Sequence, residues 1–321
     1  MKKIVMFLIL VTAMVLSSEL VLSTNVTTSV RYIPKTVQNI VVDKTGNGDY
    51  LTIKEAIDNA IEGSTISVKT GEYPEIIEIN KKIVLLGEDI ESTLINPISR
   101  ENKYAISIGA PEVTISGFSI TNGAPGLYSS GIRVSADEVD INNCKFFDNP
   151  IGIIIWSSKN VINNCEFFRC IDEGIAILGS KYSSCGNNEI KNCLFYENCD
   201  GIELQYSSEN VIENCEIYSN THAGIDAIVS ENNNNIISNC RIYDNDVFGI
   251  YFSSSSNNKV MGCYITNNYN DVEIRGSSIN NEIEYSSEEI SEVQEKNEMT
   301  NLINLLSKIK NYILPYIRLN F

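Results

Sequence analysis

Residues 211–220 read Val-Ile-Glu-Asn-Cys-Glu-Ile-Tyr-Ser-Asn, and this pattern returns before and after them. Asn-Cys pairs stand at 143–144, 164–165, 192–193, 214–215 and 239–240, and a Gly-Cys pair stands at 262–263. The cysteines follow one another at intervals of 21, 28, 22, 25 and 23 residues. Apolar and polar residues alternate within each unit, which is the periodicity of a strand with one buried face. Ser, Asn and Gly, which favour turns, separate the strands.

Each unit also contains a Gly-Ile pair, at 131–132, 152–153, 174–175, 201–202, 224–225 and 249–250. A repeat of this length, made only of short strands and turns, predicts one coil of a parallel β-solenoid. Equivalent residues then stack about 4.8 Å apart. A leucine-rich horseshoe has a similar repeat length, but it needs regularly spaced Leu and a helical turn in each repeat. Here Ile dominates, so we expect an all-β solenoid.

Composition limits the possible functions of the chain. The 321 residues are 43% hydrophobic and carry a formal charge of −17, with one His and one Trp. The chain can bury a core, but it lacks the basic character that phosphate binding needs. We therefore expect no nucleic-acid partner, and a single His excludes a multi-histidine metal site.

The N-terminus has the pattern of a secretory signal. Lys2 and Lys3 precede an apolar run over residues 4–16, and Ser17 and Ser18 follow it. This order of charged, apolar and small residues predicts a signal peptide over 1–23 and a linker over 24–37. An uncleaved anchor is the alternative. In either case we expect an extracytoplasmic protein, secreted or held at the cell surface.

The ladder of Asn-Cys units resembles the right-handed parallel β-helix of the NosD-like and pectate-lyase-like superfamily. Gly48-Asp49-Tyr50 and Gly71-Glu72-Tyr73-Pro74-Glu75 are similar to the start of pectin methylesterases. The resemblance implies one β-helix of nine or ten coils over residues 38–285. Apolar positions between Leu51 and Ile61 indicate a short helix that caps the first coil. Many activities occur on this scaffold, so the resemblance specifies the fold more than the function.

The segment 286–321 differs from the repeats. Ile290, Val293, Leu302, Leu305, Leu306 and Ile309 suggest an amphipathic helix before Pro315. It is interpreted first as a second cap, on the last coil. A helix that contacts a membrane surface or a partner is the alternative, because Lys308, Lys310 and Arg318 stand near aromatic residues. Oligomerisation is a third possibility.

Nine cysteines in a secreted chain raise the question of disulfides. Six occupy one ladder position, where alternation predicts small core residues. Cys185 and Cys199 are the only plausible extra pair. The NosD-like resemblance implies a role in copper-site maturation, and thiolates suit Cu(I). The chain lacks both a Cys-x-x-Cys motif and a Met cluster, however.

The strand that follows each turn offers a candidate site. Counting the Gly of Gly-Ile as the first residue, we expect the third and fifth to point outward. These positions hold Arg133/Ser135, Ile154/Trp156, Ala176/Leu178, Glu203/Gln205, Asp226/Ile228, Tyr251/Ser253 and Glu273/Arg275. Glu203 and Asp226 then lie one coil apart, at about the carboxyl separation of a retaining glycosidase. His222 and Tyr251 are placed to assist proton transfer. Glu203, Asp226, His222 and Tyr251 are the candidate catalytic residues, and such a pair must be accessible.

An aromatic row accompanies the cysteines at the third residue after each, in Phe147, Phe168, Tyr196, Tyr218 and Tyr243. These rings can stack under sugars or on one another. Tyr196, Tyr218 and Tyr243, with Trp156 and Gln205, are the candidate substrate-binding residues.

The motifs of the sequence argue against catalysis of a known type. The catalytic motifs of pectin methylesterases, polygalacturonases, pectate lyases and alginate epimerases are absent. We expect a secreted or surface protein that binds glycan or forms part of the envelope, with polysaccharide as its partner. The alternatives are a polysaccharide lyase, epimerase or glycoside hydrolase, and a copper maturation factor. No cofactor is predicted, although Ca²⁺ is possible.

Overall fold

The computed structural model describes residues 36–97, 103–124, 126, 128–183 and 185–287. Within them the chain forms a right-handed parallel β-helix of about ten coils, which confirms the predicted fold. The predicted signal peptide, nearly all of the linker and the C-terminal helix lie outside the described residues. Across the described ranges, no helix has the length and apolar character needed to cross a bilayer.

One short helix, α1 (Ile53–Asn59), precedes the first complete coil, where the sequence predicts a cap. Thr52 begins it, because its side-chain oxygen accepts a hydrogen bond from the Glu55 N–H at 3.2 Å. Ile53, Ala56 and Ile57 are buried against the first coil.

Strands account for the rest of the regular structure. In chain order they are β1 (Asn39–Val42), β2 (Ser64–Val68), β3 (Gly71–Tyr73), β4 (Ile77–Ile79), β5 (Ile83–Gly87), β6 (Thr93–Ile95), β7 (Tyr104–Ile108), β8 (Thr114–Ser116), β9 (Ser119–Ile120), β10 (Ser130–Val134), β11 (Asp140–Asn142), β12 (Lys145–Phe147), β13 (Ile151–Ile155), β14 (Val161–Asn163), β15 (Glu166–Phe168), β16 (Glu173–Leu178), β17 (Cys185–Gly186), β18 (Glu189–Lys191), β19 (Leu194–Tyr196), β20 (Asp200–Gln205), β21 (Ser207–Ser208), β22 (Val211–Glu213), β23 (Glu216–Tyr218), β24 (Ala223–Ala227), β25 (Ile236–Ser238), β26 (Arg241–Tyr243), β27 (Phe248–Ser253), β28 (Lys259–Thr266), β29 (Asn270–Arg275) and β30 (Glu282–Ser286).

These strands form three parallel ladders along the solenoid. One ladder is a nine-stranded sheet in the order β4-β7-β10-β13-β16-β20-β24-β27-β29. The other two join through the long strand β28 into a nineteen-stranded sheet. Strands β17 and β21 make a small separate pair. Each strand pairs with its equivalent one coil away, so one residue type repeats along a column.

The inward side chains fill the solenoid with apolar columns. Phe146, Phe167 and Phe195 stack with ring centroids 4.8 Å apart and planes 5° apart. The ladder cysteines lie beside them and are buried, as predicted, and each donates its S–H to a backbone carbonyl, as Cys165 does to Asn163 O at 3.4 Å. All nine cysteines are free, so the structure contains no disulfide between Cys185 and Cys199, the pair that the sequence left open. Buried thiols of this kind are closed to an ion from solvent, which disfavours the copper hypothesis.

Asparagines explain the turns of the repeat. The residue before each ladder cysteine has a positive φ, 49° at Asn143 and 54° at Asn214, a conformation that Asn tolerates. Two further asparagine columns lie buried at other turns, and in each a side-chain amide donates to the next one. Asn220 Nδ2 donates to Asn245 Oδ1 at 2.8 Å, and Asn210 Nδ2 donates to Asn235 Oδ1 at 2.9 Å. We call these two columns the asparagine ladders.

The Gly of each Gly-Ile pair sits where neighbouring coils approach closely. A Cβ at Gly174 would lie 2.7 Å from the Gly201 carbonyl oxygen, and one at Gly201 would lie 2.5 Å from that of Gly224. No side chain fits there, so glycine is required near the start of the strands that carry a Gly-Ile pair, which are β10, β13, β16, β20, β24 and β27.

Candidate functional site

The outer face of the nine-stranded sheet carries the residue column that the repeat predicts. Backbone pairing places the column through Arg133, Ile154, Ala176, Glu203, Asp226, Tyr251 and Glu273. Glu203 and Asp226 are therefore direct neighbours on β20 and β24. They are not accessible, however: Glu203 exposes 8% of its surface and Asp226 exposes 2%. The expectation of an accessible carboxylate pair is wrong, because both side chains are buried.

Four acidic side chains meet there around one histidine. We call Glu173, Asp200, Glu203, Asp226 and His222 the carboxylate cluster. Glu173 pairs with Asp200 across β16 and β20, and His222 directly precedes β24. All four acidic residues are buried, whereas the His222 side chain is about one-third exposed, at 36%. Among the described residues, His222 is the one basic partner of these four buried carboxyls. Because an uncompensated buried charge is costly, some of the carboxyls must be protonated.

His222 joins two of the carboxyls. Its Nδ1 lies 2.8 Å from Asp200 Oδ1 and 3.8 Å from Asp226 Oδ2. Asp200 Oδ1 also accepts the Ala223 N–H at 2.8 Å. Asp226 Oδ1, in contrast, is buried and has no hydrogen-bond partner. Asp200 is therefore a satisfied acceptor, while Asp226 retains an unused one beside the imidazole.

Glu173 and Glu203 form a second pair in the cluster. Burial, the charge of Glu203 and a hydrogen bond between the two carboxyls together raise the pKa of Glu173 to about 10. Burial also raises the pKa of Glu203, whose Oε1 accepts a hydrogen bond from Gln205 Nε2. Two carboxyls in contact cannot both ionise cheaply, so the pair holds one proton at neutral pH.

Asp226 titrates near neutrality. Burial and the Asp200 charge, opposed by His222, bring the pKa of Asp226 to about 7. Burial also raises the pKa of Asp200, against the effect of His222. A carboxyl with a pKa near the ambient pH can both accept and donate a proton, which is the requirement for general acid–base work.

Aromatic rings lie on the C-terminal side of the cluster. The Phe248 ring packs edge-on against His222 at 5.6 Å and stacks on Tyr251 at 4.8 Å. Tyr251 pairs with Asp226 across β24 and β27, as predicted. Arg275 forms an ion pair with Glu273 at 2.7 Å, so its charge is already matched.

A different environment surrounds Trp156, three strands from Asp226. The Arg133 guanidinium lies between two rings, 5.0 Å from the centroid of Tyr104 and 4.7 Å from that of Trp156. The Arg133 Nε is buried without a hydrogen-bond partner. Trp156 and Gln205 thus share the outer face with the cluster, although only Gln205 touches it.

The aromatic row belongs to the nineteen-stranded sheet, away from the cluster. From Phe147 to Tyr243 its centroids are 5.1–5.6 Å apart and its planes differ by 1–17°. Each ring therefore covers the face of the next and leaves its edge to solvent. Sugar stacking needs a free ring face, so this geometry favours the structural interpretation of Tyr196, Tyr218 and Tyr243. The hydroxyl of Tyr196 donates to Glu166 at 2.8 Å, and that of Tyr243 donates to Glu216 at 2.7 Å.

Three side chains of the cluster could supply ligand atoms to a metal ion, and these atoms lie within 4.8 Å of one another. They belong to Asp200, His222 and Asp226. An imidazole with two carboxylates suits a transition metal, whereas Ca²⁺ takes oxygen ligands only. Asp200 Oδ1 already accepts two hydrogen bonds, so only Asp226 offers an unused buried oxygen. The donor set therefore fits Ca²⁺ poorly.

Sequence reasoning missed the contacts that make the cluster a unit. Glu173 and Asp200 stand directly before the Gly of a Gly-Ile pair, at the entry to the strand. This shared position was the available signal, but strand alternation separates residues three apart and does not place it on the face of Glu203. The pairing of Asp200 with His222 needs side-chain directions that a repeat does not give.

Comparison with known proteins places the chain in one family. The family model described as the right handed beta helix region matches residues 82–225 and 130–287. Together these ranges span more than half of the chain.

Plant pectinesterases are among the similar curated proteins. The "Probable pectinesterase/pectinesterase inhibitor 17" of Arabidopsis thaliana is 31% identical over 147 residues, which are 42% of this chain and 29% of that protein. The "Pectinesterase" of Daucus carota is 27% identical over 150 residues, 42% of this chain and 47% of that protein. The chain spans less than half the length of these relatives.

Solved structures share the fold at low identity. Pectate lyase Pel9A superposes with a TM-score of 0.56 at 16% identity, over 80% of this chain and 81% of that one. The Agl-KA catalytic domain gives 0.54 at 15% identity, over 79% and 58%. Pectin methylesterase from Aspergillus niger gives 0.50 at 14% identity, over 78% and 86%. At these identities the comparison establishes the β-helix fold alone.

Proposed function

This chain belongs to the right-handed beta helix family, and from that premise we propose that it is a carbohydrate-active protein. Its polysaccharide contacts would lie on the outer face of the nine-stranded sheet, around the carboxylate cluster. The relatives named as pectinesterases support this substrate class. The predicted signal peptide makes a secreted or cell-surface location part of the same proposal.

Asp226 would be the proton-transferring residue. The observation that carries this role is its buried, unpartnered Oδ1 together with a pKa of about 7. His222, hydrogen-bonded to Asp200 at 2.8 Å, lies beside Asp226, with its Nδ1 3.8 Å from Asp226 Oδ2. Tyr251, the register neighbour of Asp226, would orient the bound sugar.

The arrangement suits single-base chemistry better than hydrolysis. A glycosidase needs two separated carboxyls that reach opposite sides of the scissile bond. Here Glu203 is hydrogen-bonded to Glu173 and Gln205, so it is not free for that task. Both β-elimination and epimerisation begin when one base of matched pKa removes the proton next to a sugar carboxyl. In β-elimination the glycosidic C–O bond then breaks and the leaving oxygen takes up a proton, whereas in epimerisation a proton returns to the same carbon from the opposite face. A lyase or epimerase is therefore the enzymatic form we propose.

A non-catalytic glycan-binding or envelope protein is the second candidate. The observation that favours it is the burial of the cluster, since Asp226 exposes only 2% of its surface. In that case the Trp156 end of the face would contact glycan without chemistry.

Product analysis distinguishes the two candidates. The full chain is incubated with neutral and uronic-acid polysaccharides, with Ca²⁺ or with a chelator. Products are recorded by mass, and deuterium incorporation from heavy water reports epimerisation. The enzyme form predicts unsaturated or deuterated products that Asp226→Asn abolishes. An exposed control, Asp246→Asn, retains them. Binding without any product, unchanged in Asp226→Asn, supports the second candidate and contradicts the first.

A further inference from the structure

Three side chains of the carboxylate cluster place donor atoms within reach of one ion. His222 Nδ1 lies 2.8 Å from Asp200 Oδ1 and 3.8 Å from Asp226 Oδ2. Zn²⁺ binds nitrogen and oxygen ligands at about 2.0–2.2 Å, so two of its ligands are at most about 4.3 Å apart. Both separations are below this limit. The full set of donor atoms lies within 4.8 Å, and a side-chain shift of about 0.5 Å would bring all three to one ion.

Asp226 gives an independent indication that a partner belongs here. Its side chain exposes only 2% of its surface, and its Oδ1 is buried and accepts no hydrogen bond from the described residues. An unpaired buried acceptor is destabilising, and buried carboxylates in proteins are ordinarily paired or bound to a metal. A cation at Asp226 would therefore satisfy a group that the described part of the chain leaves unsatisfied.

The balance of charge at the site also favours a cation. Glu173 and Glu203 lie beside the two aspartates, because β16, β20 and β24 pair in that order. Within the described ranges His222 is the one basic group of the carboxylate cluster, and a single imidazolium cannot neutralise four carboxyls. A divalent ion would supply the missing positive charge and stabilise Asp200 and Asp226 as carboxylates.

The donor types indicate which class of ion would bind. Ca²⁺ takes about six to eight oxygen ligands, whereas one donor here is the imidazole nitrogen of His222. Cu(I) prefers thiolates, and the ladder cysteines are buried inside the solenoid. An imidazole combined with carboxylate oxygens suits Zn²⁺ and related divalent transition metals.

We propose that Asp200, His222 and Asp226 form a binding site for one divalent transition-metal ion of the Zn²⁺ type. The ion would take one nitrogen and two carboxylate oxygens from the chain, and water would complete its coordination. Binding replaces the hydrogen bond between the imidazole and Asp200, and the displaced proton leaves to solvent.

The backbone holds these ligands in place before an ion binds. Asp200 lies on β20 and Asp226 on β24, and these two strands pair directly. The His222 N–H donates to the Cys199 carbonyl at 2.9 Å, and the His222 carbonyl accepts the Phe248 N–H at 3.0 Å. The His222 side chain is about one-third exposed, so the ion would enter from the side of the imidazole. A site on paired strands needs little rearrangement to bind its ion.

The bound ion and the proposed proton transfer exclude each other. An Asp226 carboxylate that coordinates a metal cannot accept a proton from a sugar, so an occupied site would be inactive as a lyase or epimerase. This consequence rests on the proposed function. The binding of the ion does not depend on it.

His222 gives a direct test, because it is the single histidine of the chain. The full chain is stripped with a chelator and then titrated with Zn²⁺. We expect one Zn²⁺ per chain by calorimetry, with movement of the His222 ring signals at the same stoichiometry in NMR of ¹⁵N-labelled histidine. Ca²⁺ should bind more weakly and leave these ring signals in place.

Variants identify the other ligands. Asp226→Asn and His222→Gln should each weaken Zn²⁺ binding about tenfold or more, since each removes one ligand. Asp246→Asn, which changes an exposed aspartate outside the cluster, should bind Zn²⁺ as the unmodified chain does. Circular dichroism and melting curves establish that the variants keep the β-helix.

Three results would overturn the proposal. The first is the absence of stoichiometric Zn²⁺ binding. The second is binding that leaves the His222 ring signals unmoved or persists unchanged in both ligand variants, which would assign the ion to surface carboxylates. The third is Ca²⁺ binding at least as tight as that of Zn²⁺. None of these readouts involves polysaccharide, and product analysis of the metal-free chain tests the proposed function separately.

Discussion

The asparagine ladders and the carboxylate cluster solve the same geometric problem with different results. Both stack polar side chains one coil apart in a buried column. In a ladder, each amide carries both a donor and an acceptor, so Asn220 accepts from Asn198 at 3.1 Å and donates to Asn245 at 2.8 Å. Ionised carboxyls carry acceptors only, and Glu173 and Asp226 each retain an unpartnered oxygen. Amide groups, which both donate and accept hydrogen bonds, therefore stabilise a buried column. Carboxylates only accept hydrogen bonds, so some of them must be protonated when they stack in a buried column.

The comparison predicts the largest loss of stability from breaking a ladder. Asn220→Ala removes the buried acceptor of two N–H groups on Asn198, whereas Asn245 Oδ1 still accepts from the backbone N–H of residue 220. At about 1–3 kcal/mol for each N–H group that loses its acceptor, we expect a loss of about 2–6 kcal/mol in the free energy of unfolding. Urea denaturation measures it, with exposed Asn47→Ala as the control, expected to change stability by less than about 0.5 kcal/mol. A loss near that of the control would mean that the ladder contributes little.

Removing an ionisable carboxyl from the carboxylate cluster should increase the free energy of unfolding, in contrast to the loss expected from breaking an asparagine ladder. The pKa of Asp226 is about 7 in the folded chain, from an ordinary value of 3.8. A raised carboxyl pKa means that folding takes up a proton, so this group costs nothing at low pH and destabilises increasingly from about pH 4 to about pH 7. Asp226→Asn should therefore stabilise the chain by about 2–4 kcal/mol above pH 7, and by little below pH 4.

Stability measured across that pH range checks this prediction against Asp246→Asn, an exposed aspartate outside the cluster. The stabilisation by Asp226→Asn should grow with pH and then level off. A difference that stays constant with pH would show that Asp226 ionises normally and that the cluster is not protonated.

One asparagine ladder is interrupted by a residue other than Asn, and restoring the Asn tests the comparison with a smaller expected change in stability. Cys170 occupies an asparagine position, and only its backbone N–H reaches Asn198 Oδ1, at 2.9 Å. Cys170→Asn would restore a side-chain donor to that oxygen and an acceptor for the preceding coil. We expect a gain of about 1 kcal/mol in unfolding free energy. Cys170→Ala, which adds no hydrogen bond, should give no gain; equal gains in both variants would attribute the effect to loss of the thiol.

Much of this molecule could be predicted because its geometry repeats. The intervals between cysteines predict the coils, and alternation places Glu203 and Asp226 in one outward column, as strand pairing confirms. Their burial could not be predicted in this way, since what lies over a sheet is not part of the repeat. The link between Asp200 and His222 also escaped, because it joins two different positions of the unit across coils.

The most direct test of this account is a titration of the carboxyl groups of the full chain, monitored by isotope-edited NMR or infrared spectroscopy. The Asp226 signal is assigned by its loss in Asp226→Asn. We predict an apparent pKa near 7 for that carboxyl and a proton retained by the Glu173–Glu203 pair at neutral pH. Titration of all of these groups near their ordinary values of 3.8 and 4.5 would contradict both the protonated cluster and the catalytic role proposed for Asp226.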